Sequence, residues 1–233
     1  MQQLLQDGFD ALGLPFTAEM ASRFHTYYDY LTEKNAVMNL TAIEGEEDTA
    51  RLHFLDCAAL CTLHNFSGET VVDIGTGAGF PGLPLKIAIP DIGLTLLDSH
   101  NKRMDFLRET CHRLGFTDVQ CVCARAEEAA ADIGGSFDTA VSRAVARLNI
   151  LCELCLPFVH VGGLFLAMKG PDCAQELDEA KHAIAVLGGG AAEIRKYTVP
   201  GTDIVHSAVM IRKLRPTPPE YPRPFGRIKK APL

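Results

Sequence analysis

The chain has 233 residues, 47% hydrophobic and 22% charged, enough for one large domain or a domain plus a small extension, and too apolar for a disordered protein. Its longest uncharged stretch, Leu154 to Met168, falls short of the roughly 18 residues of a membrane helix and is interrupted by Pro157, His160 and Gly162-Gly163; this excludes a membrane span. The first ten residues carry no Lys or Arg, which speaks against a signal peptide, so the eight cysteines read as reduced, cytoplasmic thiols.

The net charge of −7 is unevenly spread. From Arg212 to the C-terminus stand seven basic residues (Arg212, Lys213, Arg215, Arg223, Arg227, Lys229 and Lys230) against one acid, Glu220. A basic segment on an acidic body is compatible with a polyanionic partner or with a solvated tail; charge alone leaves both open.

In chain order, residues 1–64 read as helices. Met20, Phe24, Tyr27, Tyr28 and Leu31 fall on one face of a helix whose N-cap is Thr17. A further helix is predicted from about Glu46 to His64, with Glu46, Glu47 and Asp48 near its positive end. From Glu69 the period changes. β-rich runs occur at 70–74, 93–97, 119–122, 137–142, 164–168 and 206–211, with helix-like segments such as 102–114 and 174–187 between the first five. That alternation predicts parallel βαβ units with right-handed crossovers. Residues 214–233 hold six prolines and no apolar period, and are expected to form an extended tail.

The most informative segment is Val71-Val72-Asp73-Ile74-Gly75-Thr76-Gly77-Ala78-Gly79-Phe80-Pro81-Gly82. A strand runs into alternating glycines, which serve where a backbone turns tightly and a ligand approaches main-chain atoms; Gly77 is the residue whose side chain would take the ligand's space. Residues 77–82 also satisfy G-x-G-x-x-G, so a dinucleotide site must be weighed. Two acids bear on the choice. Asp98 ends the second strand, where a carboxylate accepts from ribose hydroxyls of either NAD or S-adenosylmethionine. Asp73, at the end of the first strand, would repel a pyrophosphate but suits a cationic amino-acid moiety, which favours the methionine nucleoside.

At this point the chain resembles the RsmG (GidB) family of bacterial 16S ribosomal RNA guanine-N7 methyltransferases over nearly its full length. Besides the glycine loop, the matching pieces are Met38-Asn39-Leu40-Thr41-Ala42-Ile43, His53-Phe54-Leu55-Asp56, Leu96-Leu97-Asp98-Ser99 with Lys102-Arg103, Arg125-Ala126-Glu127, Val141-Ser142-Arg143-Ala144 and Met168-Lys169-Gly170. The resemblance implies S-adenosylmethionine contacts at Gly75, Phe80, Ala126, Glu127 and Arg143, and methyl transfer to the guanine conventionally numbered 527. It implies as partner 16S rRNA, within the small ribosomal subunit or an assembly intermediate. The expected fold is the class I methyltransferase α/β fold: a mostly parallel seven-stranded sheet over residues 65–213, preceded by a helical extension, 1–64, and followed by a basic, Pro-rich tail, 214–233.

Guanine N7 carries an unshared pair and needs no deprotonation, so no general base is assigned. In agreement, Ser142-Arg143-Ala144-Val145 stands where amino-group methyltransferases have Asn/Asp-Pro-Pro-aromatic, and no Pro-Cys pair exists for attack at cytosine C5. Arg143 and Lys169 are the candidates for orienting guanine O6 and neighbouring phosphates. Cys152-x-x-Cys155 and Cys121-x-Cys123 lack a second paired set, so no metal is assigned. His53 and Asp56, at i and i+3, can face the site, but a satisfied, partly buried histidine is the commoner outcome. Three competitors remain: a small-molecule methyltransferase with the same cofactor, an NAD-linked oxidoreductase, and a noncatalytic RNA-binding protein on the same fold. Oligomeric state is not legible in the sequence.

Overall fold

A computed structural model describes residues 1–143 and 146–233; Ala144 and Val145, the end of the Ser142-to-Val145 segment, lie outside the described residues. The N-terminal part comprises α1 (Gln2–Ala11), α2 (Ala18–Met38), α3 (Glu46–Thr49), a π-wound turn (Ala50–Leu55), α4 (Asp56–Ala58) and a 3-10 turn (Ala59–Thr62). The Thr17 side chain accepts from the Met20 N–H at 3.2 Å and so caps α2. Its buried face is Met20, Phe24, Tyr27 and Leu31, joined by Tyr30, whereas Tyr28 is only partly buried. The helix expected from Glu46 is one continuous path, but it changes winding from α to π and back before ending in 3-10 form.

The remainder alternates as β1 (Thr70–Ile74), α5 (Gly82–Ala88), β2 (Gly93–Asp98), α6 (Asn101–Arg113), β3 (Gln120–Cys123), α7 (Ala126–Ile133), β4 (Phe137–Arg143), α8 (Leu148–Cys155), a 3-10 turn (Leu156–Phe158), β5 (Val159–Lys169), α9 (Ala174–Val186), β6 (Gly189–Thr198), β7 (Val205–Lys213) and α10 (Phe225–Lys230). The described strands form one seven-stranded sheet in the order β3-β2-β1-β4-β5-β7-β6. The first five are parallel; β7 runs antiparallel to both neighbours. This is the expected class I arrangement. The order reverses between β1 and β4, the switch point where open α/β sheets bind ligands. Register puts Ile74 beside Leu97, and Asp98 beside Cys123, so the strands' carboxyl ends share one edge.

Alternation along the strands builds two cores. Val71, Leu94, Leu96, Val141 and Leu166 pack with Phe9, Phe24, Tyr27 and Phe54, so the N-terminal helices share a core with one face of the sheet. Val72, Ile74, Leu97, Ala140 and Phe165 pack on the other face with Leu151, Ala183 and Ile228.

Two features differ from the sequence expectation. β6 was not among the β-rich runs: Gly189-Gly190-Ala191-Ala192 and Glu193, Arg195 and Lys196 form a mostly exposed edge strand, which needs no apolar period. The tail expected to be extended carries α10, with Ile228 fully buried. The root of the tail is pinned by Arg223, whose backbone N–H, Nε and Nη2 donate to the fully buried Glu153 at 2.9, 2.8 and 2.6 Å. No described helix is long and apolar enough to cross a membrane.

Candidate active site

At the carboxyl edge of the sheet, over β1, β2 and β4, lies a cavity of about 460 Å³. Its floor is the glycine loop. Gly75, Gly77 and Gly79 have φ of 69°, 61° and 103°, the left-handed region that glycine occupies without steric penalty. A Cβ at Gly79 would lie 2.6 Å from the Tyr27 hydroxyl and 2.7 Å from Leu83, so close packing beneath the loop also demands glycine there. At Gly77 a Cβ meets nothing nearer than the Gly75 carbonyl at 3.9 Å; that side faces open space.

Asp73 does not line this cavity. It is fully buried under the loop, where Oδ2 accepts from the Thr76 hydroxyl at 2.7 Å and the Gly82 N–H at 2.8 Å, tying both ends of the turn to β1. Oδ1 has no partner among the described residues. Burial therefore pushes the carboxyl up to about 6, against the pull of those two hydrogen bonds and of Arg143. The expectation that Asp73 meets a cationic ligand group directly is thus corrected: its work is to hold the loop.

Asp98 does line the cavity. Its Oδ2 accepts from the Gly77 N–H at 3.2 Å and faces Arg103 at 3.3 Å; Oδ1 accepts from the His100 N–H at 2.9 Å. The His100 ring Nδ1 also donates to Oδ1 at 2.8 Å, so the carboxylate's acceptor positions, about four, are all met within the protein, and a ribose diol would take the place of the exposed His100 ring or the half-exposed Arg103. Ala126 and Glu127 open α7 on the same wall. No side chain caps that helix, and while the Glu128 N–H donates to the Arg125 carbonyl at 3.1 Å, the Ala126 and Glu127 N–H groups have no acceptor among the described residues and are available to a ligand. Open space over a glycine loop, a carboxylate at the end of β2 and free donors at α7 fit a nucleoside with an amino-acid arm.

Phe80 and Arg143 form the opposite wall. Phe80 stacks on the His53 ring at 4.2 Å and on Tyr27 at 5.5 Å, with the Arg143 guanidinium 4.7 Å from its centroid. Arg143 donates to the Leu52 carbonyl at 3.2 Å and to His53 Nδ1 at 2.7 Å, and lies 3.5 Å from Asp56. Asp56, itself buried, also accepts from Tyr197 at 2.9 Å and pairs with His206 at 2.8 Å. His53 is buried beside this cation, and both effects hold its pKa down to about 3; the ring is neutral. Gly75, Gly77, Phe80, Asp98, Ala126, Glu127 and Arg143 thus meet around one cavity. Lys169 does not join them: its ammonium donates to the Ala146 carbonyl at 2.8 Å and to Glu176 at 3.0 Å. Cys152 and Cys155 are buried on α8, their thiols pushed up by burial.

The cavity also recruits residues to which no role was assigned from sequence: Leu40, Thr41, His100, Arg125 and Phe225. Leu40 and Thr41 belong to a segment that carried the family resemblance, which was their only signal. Phe225 comes from the Pro-rich tail and had none.

Fold and cavity define a class I S-adenosylmethionine-dependent methyltransferase. The family model described as rRNA small subunit methyltransferase G matches residues 20–204, and the chain belongs to that family. It is 45% identical, over all of this chain and 98% of the relative, to Ribosomal RNA small subunit methyltransferase G of Alkaliphilus metalliredigens. It is 42% identical, over 99% of this chain and 98% of the relative, to the protein of that name from Clostridium perfringens. Among solved structures, an O-methyltransferase from Bacillus cereus in complex with SAH superposes with a TM-score of 0.57 at 19% identity, covering 80% of this chain and 90% of that one; this likeness concerns the fold.

Proposed function

We propose that this protein transfers the methyl group of S-adenosylmethionine to N7 of a guanine in 16S rRNA, position 527 by the family resemblance, acting in the cytoplasm on the small ribosomal subunit or its precursor. The chemistry supplied by the cofactor when bound is a methyl group already activated on a sulfonium. Gly75 and Gly77 admit it close to the backbone, Asp98 accepts from its ribose, and Ala126 and Glu127 meet its base. Phe80 and Arg143 close the wall on the substrate side. The protein's task is alignment and exclusion of water rather than proton transfer.

The observation that carries this reading is the state of His53. Of the side chains on that wall it is the natural base, yet its pKa is held down to about 3, its one ring lone pair, on Nδ1, is taken by Arg143, and its Nε2 is engaged by Thr41. A nucleophile that brings its own lone pair, as guanine N7 does, needs nothing more. The test incubates small subunits lacking the modification with the protein and methyl-labelled cofactor, then digests the rRNA to nucleosides. Label in 7-methylguanosine is expected; label in another nucleoside, or in a small metabolite of a cell extract instead of RNA, overturns the reading.

A further inference from the structure

A guanidinium only donates, so Arg143 Nη2, 2.7 Å from His53 Nδ1, makes that nitrogen an acceptor. The neutral ring therefore carries its proton on Nε2, which lies 2.8 Å from Thr41 Oγ1 and donates to it. The Ile43 N–H donates to the same oxygen at 3.0 Å. Both lone pairs of Oγ1 are thereby used. Among the described residues no acceptor receives the hydroxyl hydrogen of Thr41, and the residue lines the cavity. The Thr41 backbone is itself fixed, its N–H donating to Asn35 Oδ1 at 2.9 Å and its carbonyl accepting from Asn35 Nδ2 at 3.0 Å. The wall thus presents a hydroxyl that is left to donate, on a backbone held by two hydrogen bonds to Asn35.

We propose that this hydroxyl reads O6 of the target guanine and sets the preference for guanine over adenine. The proposal rests on guanine-N7 methyl transfer. The edge of a purine that offers N7 to the cofactor also presents the substituent at C6: an acceptor oxygen in guanine, an amino donor in adenine. A fixed donor matches the first and confronts the second with donor against donor, leaving two polar groups unpaired as the site closes. The two residues first considered for this task are otherwise engaged: Lys169 with Glu176, and Arg143 in orienting His53. Arg143 acts on specificity through His53, as a positioning residue.

Small subunits reconstituted with guanine, inosine or 2-aminopurine at the target provide the test, read as single-turnover methyl transfer by the wild-type protein, Thr41→Val and Thr41→Ser. Inosine keeps O6; 2-aminopurine lacks it. The wild type is expected to methylate inosine nearly as fast as guanine and 2-aminopurine on the order of 10- to 100-fold more slowly. Thr41→Ser should keep that ratio. Thr41→Val should lose a similar factor on guanine and treat guanine and 2-aminopurine alike, whereas a merely structural role for Thr41 would slow every substrate and leave the ratio intact. Equal wild-type rates on inosine and 2-aminopurine, or an unchanged ratio in Thr41→Val, overturn the proposal; the first needs no variant to fold. Absence of 7-methylguanosine from the guanine subunits with wild-type protein would instead mark failure of the underlying reading.

Discussion

At the scale of single residues, the loop sets two expectations. Gly77 has a φ of 61°, and its missing Cβ faces open space, so substitution costs backbone strain and ligand room rather than protein packing. Gly77→Ala should fold with the roughly 1–2 kcal/mol left-handed penalty and bind cofactor more weakly. Gly77→Val, branched at Cβ, should abolish binding of S-adenosylhomocysteine in calorimetry while retaining a cooperative unfolding transition; near wild-type affinity would remove the loop from the cofactor site. Asp73 bears on pH. Its folded pKa, about 6, lies above the ordinary aspartate value of 3.8, so the folded state binds the extra proton. This group's contribution is therefore most favourable below pH 4 and is lost as pH rises to about 6, a swing of about 3 kcal/mol at 1.36 kcal/mol per unit. Asp73→Asn keeps an oxygen for Thr76 and Gly82 and should flatten stability between pH 4 and 6 in urea titrations. Asp138, held down at about 2 by Thr70 and His160, acts with opposite sign in a lower window. An unchanged slope in Asp73→Asn would show that Asp73 is ionised throughout.

At the scale of elements, the C-terminal segment is part of the domain wall. Arg223 neutralises Glu153, which is fully buried, and Phe225 reaches the cofactor cavity. Arg223→Ala should destabilise by about 3–5 kcal/mol, because it strands a buried carboxylate. Combining Arg223→Met with Glu153→Leu should recover most of that loss; chemical denaturation checks both, and a stable Arg223→Ala protein would contradict the pairing. Removing residues 214–233 is then expected to weaken cofactor binding as well as any hold on RNA, for which Arg227, Lys229 and Lys230 remain exposed. None of this was legible in the sequence. Six prolines and scattered basic residues look the same whether a segment is solvated or docked, since its partners lie far away in the chain. The π-wound turn at Ala50–Leu55 was equally hidden, since its winding leaves no periodic trace in the sequence. α2 and its Thr17 cap were legible because both signals are local.

At the scale of the molecule, the fold class was readable because β-rich runs, intervening helices and the glycine loop are all short-range patterns that agree with one another. Asp98 was found for the same reason, from its place at the end of the second strand; Gly75 and Arg143 were named only through the family resemblance, and the topology brings all three to the cavity at the strands' carboxyl edge. Thr41 was given no role and His53 only the option of facing the site, because their places depend on the bond from Arg143 of β4 to His53 and on the bond between His53 and Thr41, which only the packed structure creates. In the proposed function this cavity directs a methyl group to N7 of one guanine in the small-subunit rRNA. The most direct measurement is nucleoside mass spectrometry of 16S rRNA from bacteria lacking their own family member and expressing either this chain or its Gly77→Val variant. 7-Methylguanosine is expected at position 527 with the wild-type chain and none with the variant. Unmodified 16S rRNA in cells that contain folded, cofactor-binding wild-type protein would contradict it.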